Sequence, residues 1–480
     1  MVRRGAHDAP RRRGSGMSSV LVLGGGFAGL LAAAAAGPYA DTVTVVERDA
    51  YPVEPQPRRG QPQARHPHFL APGGVLGAER LLPGVTDRLA ALGAHRIGVG
   101  ADLLFRAAGG GWLDRADTGR VGISCTRNLL DHAVRELIRE QYPVMFRTGC
   151  DAVELIGDSR AIRGARVRDL RTGAVDEYEA DLVIDATGRG SRAAAWLDRL
   201  GIAVPGAETV DSGHAYATQM FRAAPGAESD FPMILIQADG RSGRPAANAI
   251  LLPVENGQWQ VAVGGTRGMS LPTDDAEFRT YARDRPADPL LGDMLAGAES
   301  LSGTMVSRSS GNRRWRFDRI RHRPCGFVVT GDAATALNPV YGHGLSTAVR
   351  CATAIRATLA ARGADPVAAA GLQRSICRAA SDPWQIATSQ DRQFSATDGA
   401  PLSALERAQL RYGEQALRAA AYHPAVAAIV SDVMFLARPA RSMGHPVVAA
   451  GALLGSRRPV RSEAPLSARE FGFRTSGRVA

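Results

Sequence analysis

The chain has 480 residues, 45% of them hydrophobic and 22% charged. That composition excludes a mainly disordered polymer and allows two to four domain-sized units. All 58 basic side chains are arginine, which excludes every mechanism that needs a lysine ammonium: Schiff bases, the P-loop lysine and the lysine of flavin-dependent halogenases.

The formal net charge of +11 sits at the ends. Met1–Gly16 carries five arginines against one aspartate, and Arg438–Ala480 carries eight arginines against two acids. Between them, Met17–Ala437 holds 45 arginines against 44 acids, so no nucleic-acid partner is expected. Residues 1–17 read as a disordered basic tail without the apolar core of a signal peptide, and Met17 is an alternative start. No uncharged apolar run of about 18 residues occurs, so no spanning membrane segment is expected. Cys125, Cys150, Cys325, Cys351 and Cys377 are scattered. They suggest neither zinc nor a disulfide framework, and a cytoplasmic location fits them.

Val20–Leu23 is a short apolar run of the kind that forms a buried parallel strand. It is followed by Gly24-Gly25-Gly26-Phe27-Ala28-Gly29, which matches G-x-G-x-x-G. Leu30–Ala36 then reads as a helix, and Thr42–Val46 as a β-branched strand ending at Glu47. This is the dinucleotide fingerprint in full. Gly24 permits the tight turn, Gly26 lets backbone approach a pyrophosphate, and Gly29 lets helix and strand pack closely. The helix start offers free N–H groups to phosphate. Glu47 follows Gly29 by 18 residues and is placed to accept from a ribose hydroxyl. ADP-ribose binding follows, while FAD and NAD both remain open at this point.

Arg58–His68 is rich in Arg and His, and Arg127 opens a helix over Asn128–Glu140. Leu182–Ile184 is a strand, after which Ala186-Thr187-Gly188 brings backbone close to a dinucleotide. From Ser191 to Asp318 the pattern becomes short strands at hairpin spacing: Tyr216–Phe221, Met233–Gln237, Asn248–Pro253 and Trp259–Gly264, with a turn over Glu255–Gln258. Arg313, Arg314 and Arg316 form a cationic segment that suits either a substrate carboxylate or solvent. Phe327–Val329 is a further strand, ending in Gly331-Asp332. Asn338–Leu345 then leads into a helix whose N-terminus can face a flavin. Pro401–Ala480 is Ala- and Arg-rich and helical in part, and Val426–Leu436 is expected to pack on the body.

The three glycine-bearing segments together resemble the FAD-dependent monooxygenase superfamily of para-hydroxybenzoate hydroxylase and squalene epoxidase. Arg58–His68, Ser124–Asp131, Asp211–Thr218 and Asn338–Gly344 are similar to the flavin epoxidases of polyether ionophore biosynthesis. The resemblance runs from Ser18 to Asp391. It implies an α/β fold: a Rossmann-type FAD-binding domain with a parallel sheet (18–190 and 319–400), an inserted antiparallel-sheet substrate domain (191–318) and a C-terminal helical region (401–480). It implies that Gly24, Gly26, Phe27, Ala28, Gly29 and Glu47 hold the ADP half. Arg127 is assigned to the diphosphate or ribityl region, with Arg48, Arg59, Arg65, Thr187 and Gly188 also at the cofactor. Asp332 binds ribityl, and Pro339, Gly342, His343, Gly344 and Leu345 pass under the isoalloxazine. His343 stands where many relatives carry glutamine. Phe221, Met233, Leu235 and Trp259 are candidate substrate-lining residues.

The activity implied is epoxidation of alkenes in a lipophilic polyene polyketide, a small-molecule substrate, through a flavin C4a-hydroperoxide. O2 is the co-substrate. NAD(P)H, acting transiently or through a flavin reductase, supplies electrons. No catalytic side chain and no metal are required. Aromatic hydroxylation, alkene reduction of the geranylgeranyl-reductase kind and flavin binding without turnover are the rival readings.

Overall fold

The computed structural model describes residues 18–109, 111–242, 244–454 and 461–475, so the expected basic tail lies outside the described residues. Five parallel strands form the first sheet. Their order is Phe327–Val329, Leu182–Asp185, Ser19–Leu23, Thr42–Glu47, Val144–Thr148. Both faces are covered, which is why Val, Leu and Ile dominate these strands. On one face lies helix Phe27–Ala36, with Ala32 to Ala36 buried. Its run of small side chains lets helix Gly344–Arg362 pack closely against it.

Strand Ser19–Leu23 has a half-sheet on each side, so strand order reverses at its C-terminal end. In open α/β sheets the ligand crevice lies at that edge. Gly24 and Ala186–Gly188 directly follow two of the adjoining strands, and Gly331–Asp332 begin two residues after the end of the third. Segments far apart in sequence thereby share one rim. The helix expected over Asn128–Glu140 spans Arg127–Gln141, and Thr126 Oγ1 caps it by accepting from Leu129 N–H.

The second large sheet has seven strands, ordered Met305–Ser307, Ala215–Arg222, Gln258–Gly265, Ala247–Val254, Met233–Ile236, Leu103–Ala107, Gly111–Trp112. It is antiparallel except where Met233–Ile236 runs parallel to Leu103–Ala107. Two of its strands thus come from before residue 190, and the sheet is not built from residues 191–318 alone. Asn256 at φ 63° and Gly257 at φ 62° make the hairpin turn that the sequence places at Glu255–Gln258.

Side chains alternate across this sheet. The outer face buries Phe221, Trp259, Ile234 and Leu251 against helices Asp275–Asp284 and Leu290–Leu295. Pro286 and Pro289 separate those two helices, as the sequence suggests. The inner face carries Met220, Met233, Leu235, Ile250 and Leu252, together with Leu103 and Phe105. Leu417, Met434 and Phe435 close over it from the C-terminal region.

The main helices of that region are Ala404–Ala420, Pro424–Met434 and Pro446–Leu454, with a further helix at Ala468–Thr475. Ser403 and Glu406 form a capping box at the first. Val426, Ile429 and Val430 pack on Ala416, Ala419, Val448 and Ala452, so Val426–Leu436 serves packing. Among the described residues no helix is long and apolar enough to cross a membrane.

Candidate cofactor and active site

The glycine turn is fixed by sterics. Gly24 has φ +94°, and a Cβ there would stand 2.7 Å from the Ala186 carbonyl oxygen. A Cβ on Gly29 would stand 1.8 Å from the Gly24 carbonyl oxygen. Gly26 caps helix Phe27–Ala36 without any side-chain hydrogen bond. The N–H groups of that helix start therefore face the rim.

Glu47 holds the same turn. Its Oε2 accepts from Gly25 N–H at 2.7 Å and its Oε1 from Asp49 N–H at 2.9 Å. Arg58 Nη1 lies 3.5 Å from Glu47 Oε1, and Arg58 Nη2 lies 3.6 Å from Asp131 Oδ2. Arg58 is buried, and its Nη1 has no hydrogen-bond partner among the described residues. Tyr51 donates to the Gly25 carbonyl at 2.9 Å, with the guanidiniums of Arg58 and Arg135 over its ring. Arg127 Nε donates to Asp131 Oδ1 at 2.7 Å, and its guanidinium lies over Phe27. Gln61 Nε2 donates to Asp131 Oδ2. Buried guanidiniums beside an open helix N-terminus fit a diphosphate.

Arg48, Arg59 and Arg65, three of the arginines assigned to the cofactor, are exposed. Arg58 and Gln61, from the same stretch, are the side chains that turn inward. Arginine content marked the loop but not which arginine points in.

On the second rim segment, buried Asp185 accepts from Thr187 N–H at 2.9 Å, from Thr187 Oγ1 at 2.6 Å and from Ser191 Oγ at 2.5 Å. Burial raises its pKa. The Thr187 hydroxyl is thus committed to shaping the turn, which leaves Gly188, at φ +78°, as open backbone. Arg189 donates to the carbonyls of Gly311 and Leu337, and its Nε lies 3.8 Å from Asp332 Oδ2. Sequence reasoning did not single it out.

Asp332 stands on the third rim segment, beside Arg189. Its side chain is 44% exposed, yet surrounding protein raises its pKa, opposed by the charges of Arg189, Arg127 and Arg313. A carboxylate at the bottom of an open groove has this combination. Beyond it, Pro339, Gly342 and Gly344 are exposed, while Leu345 is buried in the core. Apart from their local chain neighbours, no atom of the described residues lies within 4 Å of where a Cβ of Gly342 or Gly344 would stand. His343 Nε2 donates to the Met434 carbonyl at 3.0 Å. Burial lowers its pKa to about 4.

Loop Arg58–His68 lies across the inner face of the seven-stranded sheet. His66 Nδ1 lies 2.8 Å from Thr218 Oγ1, and Gln260 Nε2 donates to the Arg65 carbonyl at 3.1 Å. His68 Nδ1 donates to the His66 carbonyl at 2.7 Å, so its Nε2 carries the lone pair. Burial lowers His66 to about 4 and His68 to about 3.

Met233 and Leu235 sit on this inner face. Phe221 and Trp259 do not: strand alternation turns them to the outer face, Phe221 beside Phe278 and Trp259 beside Phe231, where they are core. Arg313, Arg314 and Arg316 also have internal partners, namely the Arg189 carbonyl, Glu208, and Glu208 with Asp318. No cluster of metal-ligating side chains occurs among the described residues.

Fold and rim together define a dinucleotide-binding α/β protein with a second, largely antiparallel sheet. Residues 17–365 match the family described as FAD binding domain, and the chain belongs to that family. Protein Rv3254 of Mycobacterium tuberculosis is 28% identical over 434 residues, 87% of this chain and 89% of that protein. Among solved structures, PqsL, a probable FAD-dependent monooxygenase from Pseudomonas aeruginosa, is similar with a TM-score of 0.59 and 18% identity. That match covers 79% of this chain and 96% of PqsL. CmlS, a flavin-dependent halogenase, is similar with a TM-score of 0.58 and 18% identity, over 96% of this chain and 77% of CmlS. The fold is the one shared by these flavin enzymes.

Proposed function

We propose that this protein is an FAD-dependent monooxygenase that epoxidises alkenes of a lipophilic polyene polyketide. The observation that carries the reading is the junction of two surfaces. The glycine-turn side of the rim reaches the sheet through loop Arg58–His68, and the loop Pro339–Gly344 reaches it through His343 and Met434; the sheet's inner face presents Met220, Leu235 and Ile250, all only partly buried. Bound FAD, once reduced by NAD(P)H or a partner reductase, supplies the activation of O2. The chain's own residues bind and orient. Arg58, Arg127 and the helix start at Gly26 hold the diphosphate, and Asp332 holds ribityl hydroxyls. The N-terminus of helix Gly344–Arg362 stabilises negative charge on the flavin. The apolar inner face and the helices over it exclude water and hold an alkene in place.

One observation separates this reading from halogenation through a lysine. A chain without lysine cannot carry out halogenation that passes through a lysine, although a halogenase shares the fold. The test is anaerobic reduction of purified protein with NADPH, then air and a panel of polyenes. A product heavier by one oxygen atom is expected. A gain of two hydrogens would make the protein a reductase, and flavin that never reoxidises with product would make it a binding protein.

A further inference from the structure

Asp391 closes helix Ser381–Asp391, beyond the residues that match the FAD binding domain. It is 0% exposed. Its Oδ1 accepts from Tyr341 Oη at 2.7 Å, from Ser212 Oγ at 2.9 Å and from Asn338 Nδ2 at 3.0 Å. Its Oδ2 accepts from Asn312 Nδ2 at 2.6 Å and from Asn338 Nδ2 at 3.2 Å. These hydrogen-bond partners are all uncharged. Two belong to the loop read as passing under the isoalloxazine, and Ser212 and Asn312 belong to the substrate region.

The orientation of the donors is forced. Asn312 Oδ1 already accepts from Asn338 N–H at 2.8 Å, and Asn338 Oδ1 accepts from Val340 N–H at 3.1 Å. Both amide carbonyls are used by backbone, so both NH2 groups must point at residue 391. That position therefore requires a group that only accepts. Nearby, Ser310 Oγ donates to the His214 carbonyl, which ties the start of strand Ala215–Arg222 to the same cluster.

We propose that Asp391 is a positioning residue for the flavin. From behind, it fixes the turn Asn338–Gly342 and hence the N-terminus of helix Gly344–Arg362, and it couples that loop through Ser212 to the segment leading into strand Ala215–Arg222 and through Asn312 to strand Asn312–Arg314. This rests on the reading that FAD occupies the groove. The carboxylate also places negative charge behind the loop, which opposes reduction of the flavin in front.

The test uses the full chain, with apoprotein reconstituted by free FAD, and compares Asp391→Asn, Tyr341→Phe and Asp398→Asn. Asp398 pairs with exposed Arg267 nearby and serves as the control. Asp391→Asn sets an NH2 against two NH2 groups and is expected to weaken FAD binding at least about tenfold. Its flavin midpoint potential moves to a more positive value. Tyr341→Phe removes one donor from a half-buried ring and moves both readouts the same way by less, while Asp398→Asn leaves both unchanged. Should Asp391→Asn fail to fold, Tyr341→Phe carries the test. Unchanged binding, or weakened binding with an unmoved potential, overturns the proposal. A wild-type protein that takes up no FAD sinks the functional reading itself, a different result from a wild type that binds beside a variant that binds equally.

Discussion

Arg58 Nη1 stands 3.5 Å from Glu47 Oε1, and both side chains are buried at the mouth of the glycine turn. A buried guanidinium with an unmatched N–H is costly unless a ligand completes it, and the diphosphate is the natural acceptor. Arg58→Gln should weaken FAD binding by about ten- to a hundredfold, the range for a lost hydrogen bond to a charged group. Arg59→Gln, at an exposed side chain, should change it little. Equilibrium titration of apoprotein with FAD distinguishes the two. Equal losses would return the role to the whole loop.

Gly29→Ala places a methyl 1.8 Å from the Gly24 carbonyl, and backbone cannot step aside as a flexible side chain would. The helix must lift off the strand, so the variant should lose several kcal/mol of stability, on the order of 3 by overpacking and strain. Gly344→Ala meets open space and should keep the wild-type melting temperature, while its methyl enters the groove and weakens FAD. Thermal melts of both apoproteins check the contrast.

The parallel sheet and its rim were legible in sequence because a buried strand, a glycine turn and an acid at fixed spacing have one steric solution. Gly24, Gly29 and Glu47 stand where that pattern puts them, in the tight turn, at the helix–strand contact and at the end of strand Thr42–Glu47. Phe221 and Trp259 were misread because hairpin spacing marks the strands but not which face meets the cofactor. One residue of parity separates Met220 from Phe221, and only packing of helices Asp275–Asp284 and Leu290–Leu295 settles it. Asp391 left no local signal, since its partners come from Ser212, Asn312 and the Asn338–Tyr341 loop.

His66, His68 and His343 are held neutral by burial, near 4, 3 and 4. Their folded values lie below the unfolded value of about 6.5. Above that value both states are neutral and nothing is lost. As pH falls from about 6.5 toward 4, the unfolded chain binds protons that the folded chain refuses, so stability drops. Each group contributes at most about 1.4 kcal/mol per pH unit in that window. The melting temperature should therefore fall from pH 6.5 to 4.5. His343→Gln keeps a donor for the Met434 carbonyl but cannot titrate, so it should flatten that slope without lowering stability at pH 7.5. A slope identical to wild type would remove His343 from the account.

The two faces of the seven-stranded sheet should respond oppositely to substitution. Phe221 is fully buried against Phe278 on the outer face. Phe221→Ala removes a core ring and should cost about 3–5 kcal/mol of stability, while leaving product identity unchanged in whatever protein remains folded. Leu235 is partly buried on the inner face, in register with Ile250 on one side and Phe105 on the other. Leu235→Trp adds bulk where the sheet faces the loop at Arg58–His68 and the C-terminal helices. FAD binding and the melting temperature should stay near wild type, while polyene turnover falls at least about tenfold through loss of productive positioning. Shorter alkenes should be affected less than long ones. Parallel melts and single-turnover oxidation assays separate the outcomes. A Leu235→Trp enzyme that oxidises long polyenes at the wild-type rate would move the substrate away from the inner face.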